Sequence, residues 1–372
     1  MSSPSKQLIS VYDAPSQVVA CDYADRDARV NREAGVRKMP LAGVLIFTLT
    51  LLWCVGVDTP ADSRVHAHWA YVGGASSLMV GTPMVDSHGV AYYPVMSAYQ
   101  GSQTQIVRVL EPTHPAAGKP PRLLYVLPVD AGVDRLTSRW GGRSSRWGDG
   151  LEELRRLDVA NRFNMTLIAP SFTYEPWYGD NDTDQTRRME SFVVNDLVPF
   201  GDTFAHGAVP QRLLIGFSKS GTGALILILR HPAIFQAAAV WDSPAQLSEV
   251  TAYPGLLLNF GTQKNFDRYY IPALISNSGD ALKHQNRLWI SGDQAFFTPD
   301  MIQLHKQLTA ASIPHTWATG NTRIHHWQSG WLNGAVIGLD AITSVIPPND
   351  HGTLSTHNGQ RSAETLAVAS KQ

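Results

Sequence analysis

The sequence predicts an α/β fold, with a mostly parallel, doubly wound sheet in a single domain. Short apolar runs bounded by glycine, proline or polar residues alternate along the chain with apolar stretches of helical length. This alternation is typical of a parallel sheet with helices on both faces. The predicted strands, in chain order, are 105–110, 122–127, 164–169, 213–215, 237–240 and 288–291.

The regions outside this domain differ in composition. Residues 1–40 are basic and polar, and residues 346–372 are rich in Ser, Thr, Asn and Gly, so both are expected to be disordered extensions. Residues 58–89 are expected to form a linker and the entry to the folded domain. That domain is predicted over residues 90–345, which is long enough to bury a substantial core.

An uncharged apolar run, residues 41–57, precedes the domain. Its length is borderline for a membrane span, which requires about 17–25 residues. Basic residues come before the run, and acidic and polar residues follow it, so the positive-inside rule places the N-terminus in the cytoplasm. The run is expected to be a membrane anchor or the core of a signal peptide. The domain would then be membrane-anchored and extracytoplasmic, secreted or periplasmic.

The most specific motif is a short strand, a sharp turn and an apolar helix. The strand Leu213–Ile215 runs into GFSKSG and then into Thr222–Arg230. In such a turn the residues two before and two after a nucleophile must be small, and Gly216 and Ser220 meet this condition around Ser218. Ser218 is therefore the predicted nucleophile, and Ser220 is a weaker alternative.

A serine nucleophile needs a carboxylate and a histidine base. Where the serine lies in a strand-turn-helix motif of this kind, the three residues come along the chain in the order nucleophile, acid, histidine. His325 and His326 lie in a loop before the last predicted helix, and His326 is the preferred candidate. Asp293 follows the strand 288–291 and is the preferred acid. Asp300, in the first turn of a predicted helix, and Asp242, after the strand 237–240, are the alternatives.

Backbone amides are expected to stabilise the oxyanion that forms during acyl transfer. The amide of Lys219, at the start of the helix, is one predicted donor. The second is expected just after the strand Arg122–Leu127, at Val129, Asp130 or Ala131.

These residues together resemble the esterase family that contains esterase D and the feruloyl esterase-like carbohydrate esterases. The likeness covers about residues 90–345 and includes GFSKSG with GALILILRHP, LYVLPVDAG at 124–132, residues 169–171 with 176–178, and His326 with Trp331. The resemblance implies an α/β-hydrolase fold, a Ser-Asp-His triad and action on carboxylic esters without a cofactor. The chain departs from the family in Ser220, where glycine is usual, and in the acid loop 292–300.

Two aromatic residues, Trp177 and Tyr178, follow the strand 164–169 and are expected to bind substrate. Loops after parallel strands border the active-site crevice, and exposed rings there could stack on a sugar or a phenolic acyl group. Small-molecule or glycan esters are therefore the expected substrates. The alternatives are an acyltransferase or a peptidase on the same fold, or a non-catalytic binding domain.

Composition excludes several other classes. The formal net charge is −1, which gives no electrostatic reason to expect nucleic acid as a partner. The sequence has no glycine-rich phosphate loop or dinucleotide fingerprint and no metal-ligand spacing, so no metal or other cofactor is expected. Cys21 and Cys54 both precede the predicted domain, so no disulfide is expected within it. The sequence does not determine the oligomeric state.

Overall fold

The structure is a computed structural model that describes residues 69–72, 76–101, 103–116, 119–131, 146–320 and 322–346. The predicted apolar segment 41–57 and residues 347–372 of the predicted tail lie outside this range. Both assignments therefore stay predictions. Among the described helices, none has the length and apolarity needed to cross a membrane.

The described strands form one sheet. They are β1 Ala70–Tyr71, β2 Met79–Val80, β3 Met84–Val85, β4 Ala91–Met96, β5 Gln105–Leu110, β6 Arg122–Val126, β7 Thr166–Pro170, β8 Gln211–Phe217, β9 Ala237–Trp241, β10 Leu288–Ser291 and β11 Thr316–Ala318. Their spatial order is β1-β2-β4-β5-β7-β6-β8-β9-β10-β11, with β3 paired to β4.

The part of the sheet from β7 to β11 is parallel throughout, and β1 to β5 form antiparallel pairs at the other side. The predicted α/β class is thus confirmed, whereas the described sheet is mixed and not mostly parallel: five of its strand pairs are parallel and five, including β5 with β7, are antiparallel. The sheet begins before residue 90, where the domain was predicted to start. The predicted linker 58–89 contains β1, β2 and β3, which are too short to show a period-two pattern in the sequence.

Helices connect the strands. They are α1 Gly150–Arg156, α2 Val159–Phe163, α3 Met189–Ser191, α4 Val198–Asp202, α5 Ser218–Arg230, α6 Leu256–Phe260, α7 Gln263–Phe266, α8 Ile271–Ser278, α9 Thr298–Ala310 and α10 Trp331–Thr343, with a π-helical turn Phe192–Leu197 between α3 and α4. Short 3₁₀ helices occur at Ala98–Gln100, Thr203–Ala205, Asp267–Tyr269, Gly279–Leu282 and Trp327–Ser329.

Both faces of the sheet are covered, which explains why its central strands read as continuous apolar runs. Successive residues of β8 point to opposite faces. Leu214 packs into the cluster that contains α5, whereas Leu213 and Ile215 pack into the cluster that contains α10. The carboxyl ends of the parallel strands are therefore held between two layers of helices, and the loops that follow these strands carry the candidate site.

Candidate active site

The strand-turn-helix motif has the backbone geometry that presents a nucleophile. β8 ends at Phe217 and α5 begins at the next residue, Ser218, whose φ is +53°. A non-glycine residue in this left-handed region costs about 1–3 kcal/mol and persists only where the surrounding structure enforces it. A Cβ on Gly216 would lie 2.4 Å from the carbonyl oxygen of Ser220, so the position before the turn requires glycine.

Ser220, the weaker candidate for the nucleophile, is fully buried and has a structural role. Its hydroxyl donates to the carbonyl of Phe217 at 2.9 Å and accepts from the amide of Phe217 at 3.1 Å. The hydroxyl thus ties the first turn of α5 back to the end of β8. This contact explains why serine is compatible with a position where the family usually has glycine.

Asp242 directly follows β9, the strand next to β8. The parallel register pairs Phe217 with Trp241, so Ser218 and Asp242 are equivalent positions on neighbouring strands. The amide of Ser218 donates to the carbonyl of Asp242 at 3.0 Å, and Asp242 also has a left-handed backbone with φ of +46°. Two adjacent strands therefore end in strained non-glycine residues, a pattern that clusters at functional sites.

The carboxylate of Asp242 is fully buried and has three hydrogen-bond donors. His325 Nδ1 lies 2.5 Å from Oδ2, the amide of Phe296 donates to Oδ2 at 3.1 Å, and the amide of Phe297 donates to Oδ1 at 2.5 Å. This arrangement fixes the carboxylate and orients the imidazole. Because Nδ1 carries the proton shared with Asp242, Nε2 is the ring nitrogen that can accept one from a substrate or a nucleophile.

The imidazole of His325 lies beside the turn at Ser218 between β8 and α5, which we call the elbow. Its ring centroid is 4.9 Å from that of Phe217, the residue before Ser218, and 5.0 Å from that of Trp147. The indole of Trp241, which precedes Asp242, lies 6.2 Å away in a stacked arrangement. These three rings surround the imidazole of His325, and its side chain is only 11% exposed. His325 is therefore held near the ends of β8 and β9.

The structure does not bring the preferred base and acid together. His326 Nδ1 accepts a hydrogen bond from the amide of Gln328 at 3.1 Å and caps the short helix Trp327–Ser329. The backbone at His326 is extended, with φ −161° and ψ 148°. Successive side chains of an extended segment point in opposite directions, so His326 points away from the side on which His325 meets Asp242.

Asp293, the preferred acid, accepts a hydrogen bond from the exposed amide of Gly320 at 3.0 Å. Asp300 accepts from the amide of Gln246 at 2.9 Å, and burial raises its pKa. Neither carboxylate has the contact with a histidine that Asp242 has. The geometry therefore corrects the order of preference, since the acid that pairs with a histidine follows β9 and not β10.

The predicted oxyanion donors lie at one edge of the sheet. Lys219 is in the first turn of α5, where amides lack partners within the helix. Val126 of β6 pairs with Ile215 of β8, so Val129, Asp130 and Ala131 leave the sheet next to the elbow. The segment is anchored from below, because the carbonyl of Ala131 accepts from the amide of Phe172 at 2.7 Å. These positions stay predictions for the oxyanion donors.

The side chain of Lys219 adds charge to this edge, which the motif alone did not indicate. Its ammonium forms an ion pair with Glu175 and lies 5.6 Å from the ring centroid of Trp177. Burial lowers the pKa of Lys219 to about 8, the nearby Asp130 opposes that shift, and Arg146 acts in the same direction as burial. The ion pair joins the loop after β7 to the start of α5.

The two predicted substrate-binding aromatics are buried, so they are not available to stack on a ligand. Trp177 is 2% exposed and Tyr178 is 0% exposed. The Tyr178 hydroxyl donates to the carbonyl of Pro128 at 2.6 Å, and a Cβ on Gly223 would lie 2.2 Å from the tyrosine ring. Tyr178 therefore packs between α5 and the segment after β6. The prediction that these rings bind substrate is wrong for this structure.

We expect Tyr178→Phe to lower the free energy of unfolding by about 1–3 kcal/mol, because the carbonyl of Pro128 would lose its donor in a buried position. Urea titration would measure the change. Tyr71→Phe is the matched control, since Tyr71 is 71% exposed, and we expect it to have no measurable effect. Equal stability of the wild type and Tyr178→Phe would contradict the packing role.

Within the described residues, no group of three or more His, Cys, Asp or Glu side chains could hold a metal ion. The candidate site thus consists of a sharp, largely buried turn that carries a serine, an Asp-His pair with a buried carboxylate, and backbone amides. These groups can support nucleophilic attack, proton transfer and stabilisation of an oxyanion.

Part of the chain matches a known protein family. Residues 169–329 match the family model described as Esterase: Putative esterase, a span that contains Ser218, Asp242 and His325. The sequence has no match among curated proteins.

Solved structures share the fold at low sequence identity. A ferulic acid esterase aligns with a TM-score of 0.52 and 16% identity, over 69% of this chain and 97% of its own. An S-formylglutathione hydrolase from Agrobacterium tumefaciens aligns with a TM-score of 0.49 and 13% identity, over 72% of this chain and 98% of its own. The likeness to the ferulic acid esterase concerns the fold alone. Over residues 169–329 the chain thus matches the esterase family model, as its sequence predicted, and its described residues have an α/β-hydrolase fold.

Proposed function

We propose that this protein is a carboxylic ester hydrolase that uses Ser218 as its nucleophile, His325 as general base and acid, and Asp242 as the carboxylate that orients His325. The observation that carries the proposal is the 2.5 Å contact between His325 Nδ1 and Asp242 Oδ2, next to the left-handed turn at Ser218. The three residues occur in the order nucleophile, acid, histidine along the chain, which is the order of this fold.

The first half of the reaction forms an acyl-enzyme. His325 Nε2 takes the proton of the Ser218 hydroxyl as its oxygen attacks the ester carbonyl carbon. The carbonyl oxygen becomes an oxyanion, which accepts hydrogen bonds from the amide of Lys219 and from an amide of residues 129–131. The carbon–oxygen bond to the alcohol then breaks, and His325 returns the proton to the leaving alkoxide.

The second half repeats these steps with water. His325 Nε2 takes a proton from a water molecule, whose oxygen attacks the acyl carbon, and the bond to the Ser218 oxygen breaks as that oxygen regains a proton. Asp242 stabilises the imidazolium in both halves and keeps the proton on Nδ1. Every step uses side chains and amides of this chain, so the proposed reaction requires only an ester and water.

The proposed reaction leaves open which class of ester is the substrate. Carbohydrate-linked esters were expected because Trp177 and Tyr178 were predicted to be exposed, and the burial of both rings removes that support. A small-molecule ester remains the proposed substrate class.

The experiment that tests the proposal is labelling of the full chain with a fluorophosphonate, followed by mapping of the modified peptide by mass spectrometry. We expect one modified residue, Ser218, and hydrolysis of aryl acetates that the label inhibits. Heat-denatured protein is the control and is expected to remain unlabelled. A folded protein that is neither labelled nor active would instead favour a non-catalytic binding domain.

The role of Asp242 can be tested separately from that of Asp293. We expect Asp242→Asn to lower kcat/KM by roughly 10⁴-fold, because an amide in place of the carboxylate stabilises the wrong tautomer of His325. Steady-state hydrolysis of an aryl acetate would measure the change. Asp293→Asn is the matched control and is expected to stay within about threefold of the wild type. Equal losses in the two variants would argue against Asp242 as the acid.

A further inference from the structure

The candidate site has an exposed apolar surface on the side of His325. Phe296, which follows β10, is 65% exposed. Single exposed apolar residues are common and carry no information by themselves. The position of Phe296 is informative, since its ring centroid lies 5.6 Å from that of the His325 imidazole.

The Asp242 carboxylate holds the backbone of Phe296 in place. The amides of Phe296 and Phe297 both donate to this carboxylate, at 3.1 and 2.5 Å. The two phenyl rings also contact each other edge to face, with centroids 4.9 Å apart. The backbone that carries the exposed ring is therefore held in place relative to His325 by hydrogen bonds to Asp242.

The chemistry of the proposed reaction gives this surface a ligand. The leaving alkoxide must receive its proton from His325 Nε2, so its oxygen has to come within hydrogen-bond distance of the imidazole. Since Asp242 occupies the Nδ1 side of the ring, the substituent on that oxygen must lie along the remaining border of the imidazole. Phe296 is an exposed apolar side chain beside this imidazole, with ring centroids 5.6 Å apart.

We infer that Phe296 binds the alcohol part of the ester, and that the preferred substrates are esters of apolar alkyl or aryl alcohols. The inference rests on the proposed function, because the leaving alcohol is placed beside His325 only if His325 donates its proton to that alcohol. Burial of an apolar group against a phenyl ring is favourable, whereas an ether oxygen in the same place would lose hydrogen bonds to water.

The test compares butyl acetate with methoxyethyl acetate. Both have the same acyl group and the same number of heavy atoms, and they differ by an ether oxygen in place of one methylene. We expect the wild type to have a kcat/KM for butyl acetate about tenfold above that for methoxyethyl acetate. Benzyl acetate is expected to be at least as good a substrate as butyl acetate, and methyl acetate serves as the ester without a sizeable alcohol.

Phe296→Ala is expected to lower kcat/KM for benzyl and butyl acetate by about tenfold while that for methyl acetate changes less than about threefold. Phe296→Leu, which keeps an apolar side chain, is expected to retain most of the preference. Val345→Ala is the matched control, because it also removes an exposed apolar side chain, at 79% exposure. Val345 lines a groove with Gln285 and Asn286, which lie before the start of β10, whereas Phe296 lies after the end of that strand.

Labelling of Ser218 by the fluorophosphonate distinguishes a failure of the alcohol-site inference from a failure of the proposed function. Labelling that persists in Phe296→Ala, together with no preference among the acetates or equal losses for all of them, would overturn the inference and leave the proposed function intact. Absence of labelling in the folded wild type would overturn the proposed function itself. A selective loss for benzyl and butyl acetate with labelling retained would support the apolar alcohol site.

Discussion

Replacing Ser218 by alanine is expected to reduce ester hydrolysis by roughly 10⁴-fold or more and to abolish fluorophosphonate labelling. Ser218 supplies the hydroxyl at the left-handed residue between β8 and α5, where φ is +53°. Without it, the Asp-His pair could still bind and position a water molecule, but no acyl-enzyme could form. Hydrolysis of an aryl acetate and labelling of the same preparation would measure both effects.

The control for Ser218→Ala is Ser220→Gly, which removes the other serine of the turn. The hydroxyl of Ser220 bonds only to the backbone of Phe217, so this variant is expected to keep labelling at Ser218. A decrease in thermal stability is expected because the amide of Phe217 loses its acceptor. Labelling that survives in Ser218→Ala and disappears in Ser220→Gly would mean that the nucleophile is Ser220.

The second large effect is expected from His325. His325→Ala should lower kcat/KM by roughly 10⁴-fold or more, because Ser218 would lose both the base that activates it and the acid that protonates the leaving alcohol. The rate of fluorophosphonate labelling should fall with it, since the label requires an activated serine. Removal of the ring would also leave Asp242 with amide donors alone, so the fold of the variant should be verified by circular dichroism.

His326→Ala is the matched control, with the same residue type one position along the chain. Its ring accepts a hydrogen bond from the amide of Gln328, so a modest loss of stability is expected and activity should stay within about threefold of the wild type. A larger loss of activity in His326→Ala than in His325→Ala would reverse the assignment of the base.

Much of the fold follows from local sequence. The central strands and the helix after the elbow are long apolar segments bounded by turn residues, and these properties depend on neighbours along the chain. The requirement for glycine at position 216 is equally local, because the clash that a Cβ would make involves the carbonyl of Ser220, four residues away. The motif therefore predicts Ser218 as the nucleophile without knowledge of any tertiary contact.

The proposed partners of Ser218, Asp242 and His325, could not be found in this way. Asp242 and Asp293 both follow apolar strands, and the sequence does not say which strand lies beside β8. The sheet order places β9 there, so the carboxylate after β9 is the one that meets a histidine. A signal for Asp242 was present in its position directly after the strand that follows the elbow helix, but two other aspartates had equally plausible local settings.

The choice between His325 and His326 depends on which way an extended loop faces. A shift of one residue turns a side chain to the opposite side of such a segment, and nothing in the two residue types distinguishes them. Trp177 and Tyr178 show the same limit, since aromatic residues after a strand look alike whether they are exposed or buried. Their burial depends on Gly223 and Pro128, which are distant in sequence.

The sequence by itself determined the α/β class, the elbow with Ser218 and the resemblance to the esterase family, because each of these depends on residues close together in the chain. The tertiary structure decided the pairing of Asp242 with His325, the burial of Trp177 and Tyr178 and the position of the exposed Phe296 ring beside His325. The physical reason is that these features arise from contacts between segments that only the order of the strands brings together.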